Sequence, residues 1–172
     1  MAEVNLRSWT IADVPAMALI MNCAKMQGNL RDGIPFPYTE ADAREFIGMI
    51  LEAEPGVRYD FAITYADEVV GSISVTPRDN VYRLSGEIGY CLRETHWGQG
   101  IMTEAVRQVC GYVFRHTDLI RIAAEVFAPN LASCRVLEKA GFSLEGTLRR
   151  SVVKHGQVLD SQLYAILKEN WA

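Results

Sequence analysis

Apolar and polar residues alternate along Val4-Asn5-Leu6-Arg7-Ser8-Trp9, the period of a strand with one buried face. Thr10, with Asp13 three residues on and Pro15 in the first turn, then signals a helix start. Its predicted apolar face is Val14, Ala18, Leu19, Met21 and Met26, the methionines reading as core filler. A Gly/Pro-rich loop, Gln27 to Tyr38, follows. A second capping pair, Thr39 and Asp42, opens a helix with Ala43, Phe46, Ile47, Ile50 and Leu51 inward, stopped at Pro55-Gly56. Alternation returns over Tyr59 to Tyr65, Val69 to Val75 and Tyr82 to Leu92. The short turns between these runs predict an antiparallel meander.

The cleanest helical pattern begins at Ile101. Ile101, Met102, Ala105, Val106, Val109, Cys110, Val113 and Phe114 share one face, with Thr103, Glu104, Arg107 and Gln108 opposite. Leu119 to Phe127 reads as a buried strand, so strand, helix and strand form one parallel crossover. Asn130 caps a further helix that Gly141 stops, and two strands close the chain, roughly Ser143 to Lys154 and Val158 to Leu167, about a turn at His155-Gly156. The fold class is α+β.

Between the fourth strand and the crossover helix stands Trp97-Gly98-Gln99-Gly100-Ile101-Met102-Thr103. Glycines there let the backbone turn tightly and approach a ligand, and a helix starting at that point aims unpaired N–H groups and its positive dipole end outward. That is an anion site suited to phosphate. It is not a Walker loop, and the dinucleotide fingerprint fails because Thr103 occupies its third glycine position. By itself a Gly-x-Gly is as consistent with a loop that merely needs to turn.

Composition narrows the field. The 172 residues suit one domain, 1–172, at 49% apolar and 22% charged residues. A net charge of −4 without a basic run gives no reason to expect nucleic acid. No run approaches the ~20 apolar residues of a membrane span, and the N-terminus lacks a signal-peptide pattern. Cys23, Cys91, Cys110 and Cys134 form no Cys-x-x-Cys and read as buried thiols of a reducing cytoplasm, with no metal site expected.

Several features then coincide: Glu87 on a strand, the Trp-Gly-Gln-Gly loop, Ala128-Pro129-Asn130 ending a second strand, Asn130-Leu131-Ala132-Ser133, and Glu138-Lys139-Ala140-Gly141-Phe142. Together these resemble the GNAT superfamily of acetyl-CoA-dependent N-acetyltransferases, in the branch of the ribosomal-protein N-terminal (alanine and serine) acetyltransferases. The resemblance covers nearly the whole chain. It implies a three-layer α/β/α domain, a mixed, mostly antiparallel sheet of about seven strands splayed between the fourth and fifth, and about four helices. It implies acetyl-CoA as donor, its pyrophosphate held by Trp97, Gly98, Gln99, Gly100, Ile101, Met102 and Thr103, and its pantetheine arm by Cys91, Leu92, Asn130 and Ser133. Met102 departs from the small residue usual at the loop's last position. Dimers are common among similar proteins; the residues do not decide that state.

Acetyl transfer requires an amine stripped of its proton and a thiolate that leaves. Glu87, a carboxylate within an apolar strand, is the candidate base, its partial burial tuning it for that task. Many relatives place a tyrosine proton donor where this chain has Leu137; the resemblance offers Ser133 instead, with Tyr164 and Tyr90 as further donors. Arg31, Asp32, Tyr38, Tyr82, His155 and Asp160 are the candidates for holding the acceptor. Three readings stay open: acetylation of a protein or peptide α-amine, acetylation of a small amine, and an acyl-CoA-binding module without turnover.

Overall fold

The structure is a computed structural model that describes residues 3–171. In chain order its elements are β1 (Val4–Arg7), α1 (Val14–Met21), α2 (Ala24–Gln27), α3 (Glu40–Glu52), β2 (Tyr59–Tyr65), β3 (Glu68–Pro77), β4 (Ser85–Leu92), α4 (Ile101–His116), β5 (Arg121–Phe127), α5 (Leu131–Ala140), β6 (Ser143–Lys154) and β7 (Gln157–Leu167). The seven strands form one sheet in the order β1-β2-β3-β4-β5-β7-β6. Every neighbouring pair is antiparallel except β4 and β5. That parallel ladder is short: Ser85, Gly86 and Glu87 pair with Arg121, Ile122 and Ala123, and the pairing stops there. From Ile88 onward the two strands part, which is the expected splay.

Helices cover both faces. Side chains alternate across a strand, so Ile63 joins the core under α4 and α5 while its neighbour Ala62 joins the core under α1, α2 and α3. Helix α4 supplies the larger core through Val106, Val109, Cys110 and Val113, none with measurable exposure. Burying each such aliphatic side chain is worth about 1.5–3 kcal/mol. At the start of α3, the Thr39 N–H donates to the Asp42 carboxylate (2.7 Å) and the Asp42 N–H to the Thr39 hydroxyl oxygen (3.3 Å), the reciprocal cap its sequence predicts.

The first helix differs from its prediction. Thr10 opens a 3₁₀ turn, Ile11–Asp13, and the α-helix proper ends at Met21. Cys23 is extended (φ −127°, ψ 111°), and its N–H bonds back to the Met21 carbonyl at 2.9 Å. Met26 therefore sits on a separate short helix, one of five α-helices among the described residues. Leu19 and Leu51, expected inward, are 54% and 53% exposed. The stripe of α1 that meets the sheet runs through Val14, Met17, Ala18 and Met21. Tyr82 begins no strand; it ends a 3₁₀ turn, Asn80–Tyr82, ahead of β4.

Candidate active site

Where β4 and β5 separate, a cleft of about 1260 Å³ opens, and the start of α4 faces it. Gly98 and Gly100 both take left-handed conformations, φ 74° and 79°, which a β-carbon disfavours. Gly100 is the N-cap of α4, and its carbonyl accepts the first helical bond from Glu104 N–H at 3.1 Å. The N–H groups of Ile101, Met102 and Thr103 precede that bond and so have no helical partner. Side chains fasten the loop from behind: the Trp97 indole N–H donates to the Leu92 carbonyl oxygen (2.8 Å), and the Gln99 amide to the Thr95 carbonyl oxygen (3.1 Å). Trp97 is thus a latch between loop and strand. Met102 is 6% exposed and packs in the core. Burial of that side chain leaves the first-turn backbone N–H groups of α4 in place despite the departure from the family pattern. Cys91 and Leu92, the backbone expected to meet the pantetheine arm, both line the cleft, and the Leu92 carbonyl also accepts the Trp97 indole N–H. Arg135 and Lys139 of α5 line the same cleft.

Helix α5 starts beside β4. The Asn130 side chain accepts the Ser133 N–H (3.3 Å), a cap, and Asn130 also lines the cleft. The Ser133 hydroxyl lies 2.7 Å from the Tyr90 hydroxyl. Burial pushes the Tyr90 phenol up to about 12, against a smaller lowering by the Ser133 bond, so it stays a neutral donor at neutral pH. Leu137, where many relatives carry the tyrosine, is fully buried in the core.

On the opposite face of β4, Glu87, Gly89 and Cys91 point toward α1 and the loop before α3. Glu87 is partly buried, its side chain 43% exposed, and it is ion-paired with Arg31 from that loop. Cys91 packs against Met21, its thiol 3.5 Å from the thioether sulfur, and burial pushes it up to about 12, which leaves it unsuited to act as a nucleophile.

The predicted acceptor residues do not all converge. Arg31 and Tyr38 line the cleft; Tyr38 is 6% exposed, its phenol raised to about 12 mainly by burial. Asp32 lies beside a smaller hollow, ion-paired with Lys154 at 2.8 Å. That pair, which holds the Asp32 carboxyl below its usual range, ties the loop to the β6–β7 hairpin rather than offering a free carboxylate. Asp160 accepts the Arg150 N–H (2.7 Å) and steadies an irregular stretch of β6 where Arg150 has φ 55°. Tyr82 is 57% exposed beneath the Arg78 guanidinium and does not line the cleft, nor does His155, which sits in the hairpin turn at φ 50°.

Sequence reasoning passed over Glu125. It lies on β5 two residues past the Ala123 that pairs with Glu87, hence on the same face, and accepts the hydroxyl of the fully buried Ser161 at 2.7 Å. The signal was available: Glu125 interrupts the apolar run of β5 as Glu87 interrupts β4. Among the described residues no three His, Cys, Asp or Glu side chains cluster as a metal site, no helix is long and apolar enough to cross a membrane, and all four cysteines are free.

A coenzyme-sized cleft at a splayed parallel pair, with a glycine-capped helix aimed into it, is the architecture of the acetyltransferase (GNAT) domain family, which matches residues 3–143; the chain belongs to that family. Among its relatives, YjcK of Bacillus subtilis (strain 168) is 44% identical over 116 residues, 66% of this chain and 64% of its own length. The ribosomal-protein-serine acetyltransferase of Escherichia coli (strain K12) is 31% identical over 131 residues, 76% of this chain and 73% of that one. The solved structure of RimL, a ribosomal L7/L12 alpha-N-protein acetyltransferase in complex with coenzyme A, superposes with a TM-score of 0.85 at 26% identity, covering 95% of this chain and 93% of the other. The chain is an N-acetyltransferase of the GNAT type.

Proposed function

We propose that this protein uses acetyl-CoA, in the cytoplasm, to acetylate the N-terminal α-amine of a protein or peptide by direct attack in a ternary complex. The observation that carries the reading is the convergence on one cleft of the α4 N-terminus, Glu87 and Ser133. Coenzyme A is a polyanion, and the residues fit it: first-turn N–H groups behind left-handed Gly98 and Gly100 for the pyrophosphate, Arg135 and Lys139 for further phosphate, and the opening beyond Glu87 for the pantetheine arm. Acetyl-CoA supplies the activated acetyl thioester. Glu87 takes the proton of the entering ammonium, through water, once Arg31 gives way. The N–C bond would then form as the C–S bond breaks, the Ser133 hydroxyl giving its proton to the departing thiolate and regaining one from the nitrogen, which loses its second proton as the amide forms.

The relatives support a peptide acceptor: the ribosomal-protein-serine acetyltransferase of Escherichia coli and RimL, an alpha-N-protein acetyltransferase, each match most of this chain. Titrating acetyl-CoA and following free thiol over an amine panel tests the proposal. Thiol release with α-amino peptides is the expected result, and tight binding with no release from any amine leaves only the acyl-CoA-binding module.

Tyr90 has a positioning role in this reading, orienting the Ser133 hydroxyl at 2.7 Å. Tyr90→Phe is expected to lower kcat between roughly twofold and tenfold, the effect of one hydrogen bond of ~0.5–1.5 kcal/mol. The Kd for CoA should stay unchanged in calorimetry. Equal effects of Tyr90→Phe in the wild-type and Ser133→Ala backgrounds would remove Tyr90 from that role.

A further inference from the structure

Gly89 is the one exposed residue of β4, although it sits mid-strand in the middle of the sheet. A β-carbon built there would meet only the Ser74 hydroxyl oxygen, at 3.7 Å, so the cleft has a hollow at that point rather than a packed surface. Glycine in a strand interior weakens pairing and marks a place where something approaches closely. The hollow lies between Glu87 and Cys91 on the acceptor-facing side. On that side of the sheet the cleft is lined by Met17, Met21, Met26, Leu30, Ile34 and Tyr38, members of the apolar cluster under α1, α2 and α3.

Two features set what fits. The surface is apolar and rich in methionine, a side chain that adapts to irregular apolar shapes. The carboxylates nearby are engaged: Glu87 by Arg31, Asp42 by the Thr39 N–H, Glu125 by Ser161; Glu45 stands exposed. One amine can exchange for Arg31 at Glu87.

Resting on the acetyltransferase reading above, we infer that the acceptor is a primary amine whose adjacent carbon carries a bulky apolar group, and that Gly89 sets the size of the group admitted. An N-terminal Phe, Leu or Met of a peptide has this chemistry, and so does a free arylalkylamine. Both present one ammonium to Glu87 and an apolar side chain to the hollow.

The test uses the full chain with acetyl-CoA, following thiol release for peptides that begin with Phe, Leu, Met, Ser or Gly and share one continuation, together with phenethylamine and spermidine. Peptides with apolar first residues should exceed the Ser and Gly peptides in kcat/KM by about tenfold or more, the range a filled apolar pocket commands. Gly89→Val, whose β-branched side chain suits a strand, should cut that ratio at least tenfold, with Gly89→Ala between. Circular dichroism and CoA affinity report whether each variant is folded. Phenethylamine matching the Phe peptide identifies a small amine as the source of the group; the peptide exceeding it identifies a chain terminus. Preference for spermidine or for Ser and Gly peptides, or a ratio that Gly89→Val leaves unmoved, overturns the inference. Calorimetric binding of the same amines to the CoA-saturated protein separates the two readings: Phe-selective binding lost in Gly89→Val supports the hollow even if no thiol is released, and that second result sinks the catalytic proposal alone.

Discussion

Replacing Gly100 by valine is expected to weaken CoA binding at least tenfold. The N-cap of α4 holds φ at 79°, and the space around it is open: a β-carbon there meets nothing within 4 Å of the protein. Collision inside the protein therefore does not drive the effect. A left-handed backbone costs an L-residue roughly 1–2 kcal/mol, and more when the side chain is β-branched. Valine relieves that cost by turning the loop out of the left-handed region, and the N–H groups of Ile101, Met102 and Thr103 then no longer converge. The open space is also where the phosphates would lie, so two isopropyl methyls stand in their path. Calorimetry with CoA measures the loss, and Gly146→Val gives the background, since Gly146 has equally open surroundings and an ordinary φ on distant β6. Undiminished affinity in Gly100→Val would detach the loop from the coenzyme.

Such a loop is legible in sequence because its requirement is local. A backbone that must turn left-handed twice within three residues shows itself as Gly98 and Gly100 whatever the rest of the chain does. The same holds for the Thr39–Asp42 cap, for Asn130, and for the Gly141 stop at φ 101°. Strand positions were readable for the same reason, Tyr59–Tyr65 to the residue, though the runs expected from Leu119 and from Tyr82 pair as strands only from Arg121 and Ser85. What escaped was pairing across distance. Asp32 looked like a free carboxylate until Lys154, 122 residues away, was seen to bind it. Asp160 is spent on a backbone N–H of the neighbouring strand, and Glu87 on Arg31 from a loop 56 residues upstream. The break after Met21 was hidden for a related reason. Cys23 leaves the helix to place its thiol 3.5 Å from Glu94, which also pairs with Lys25, and none of those contacts shows in the local pattern of apolar residues.

Glu87→Gln is expected to lower kcat by roughly 10² to 10⁴, the usual contribution of a positioned base, with the Kd for CoA spared. Gln keeps the shape of the side chain and can still donate or accept a hydrogen bond, so what it loses is the capacity to take a proton. The size of the loss should depend on pH in a definite direction. An α-amine has a pKa of about 7.7–8.0. Well below that, nearly all of the acceptor is ammonium, and removing the base costs most. Above it, the acceptor deprotonates itself in solution, and the ratio of wild-type to variant rates should narrow as pH passes from about 7 to 9. Arg31 adds a second readout. Its guanidinium is held by Glu87 in the free protein, and an acceptor amine has to displace it. In Glu87→Gln the charge pairing is gone, so the arginine no longer resists, and KM for the amine is expected to fall or hold while kcat drops. A rate ratio flat across that pH range, or a loss confined to KM, would make Glu87 a binding residue and move the proton transfer elsewhere in the cleft.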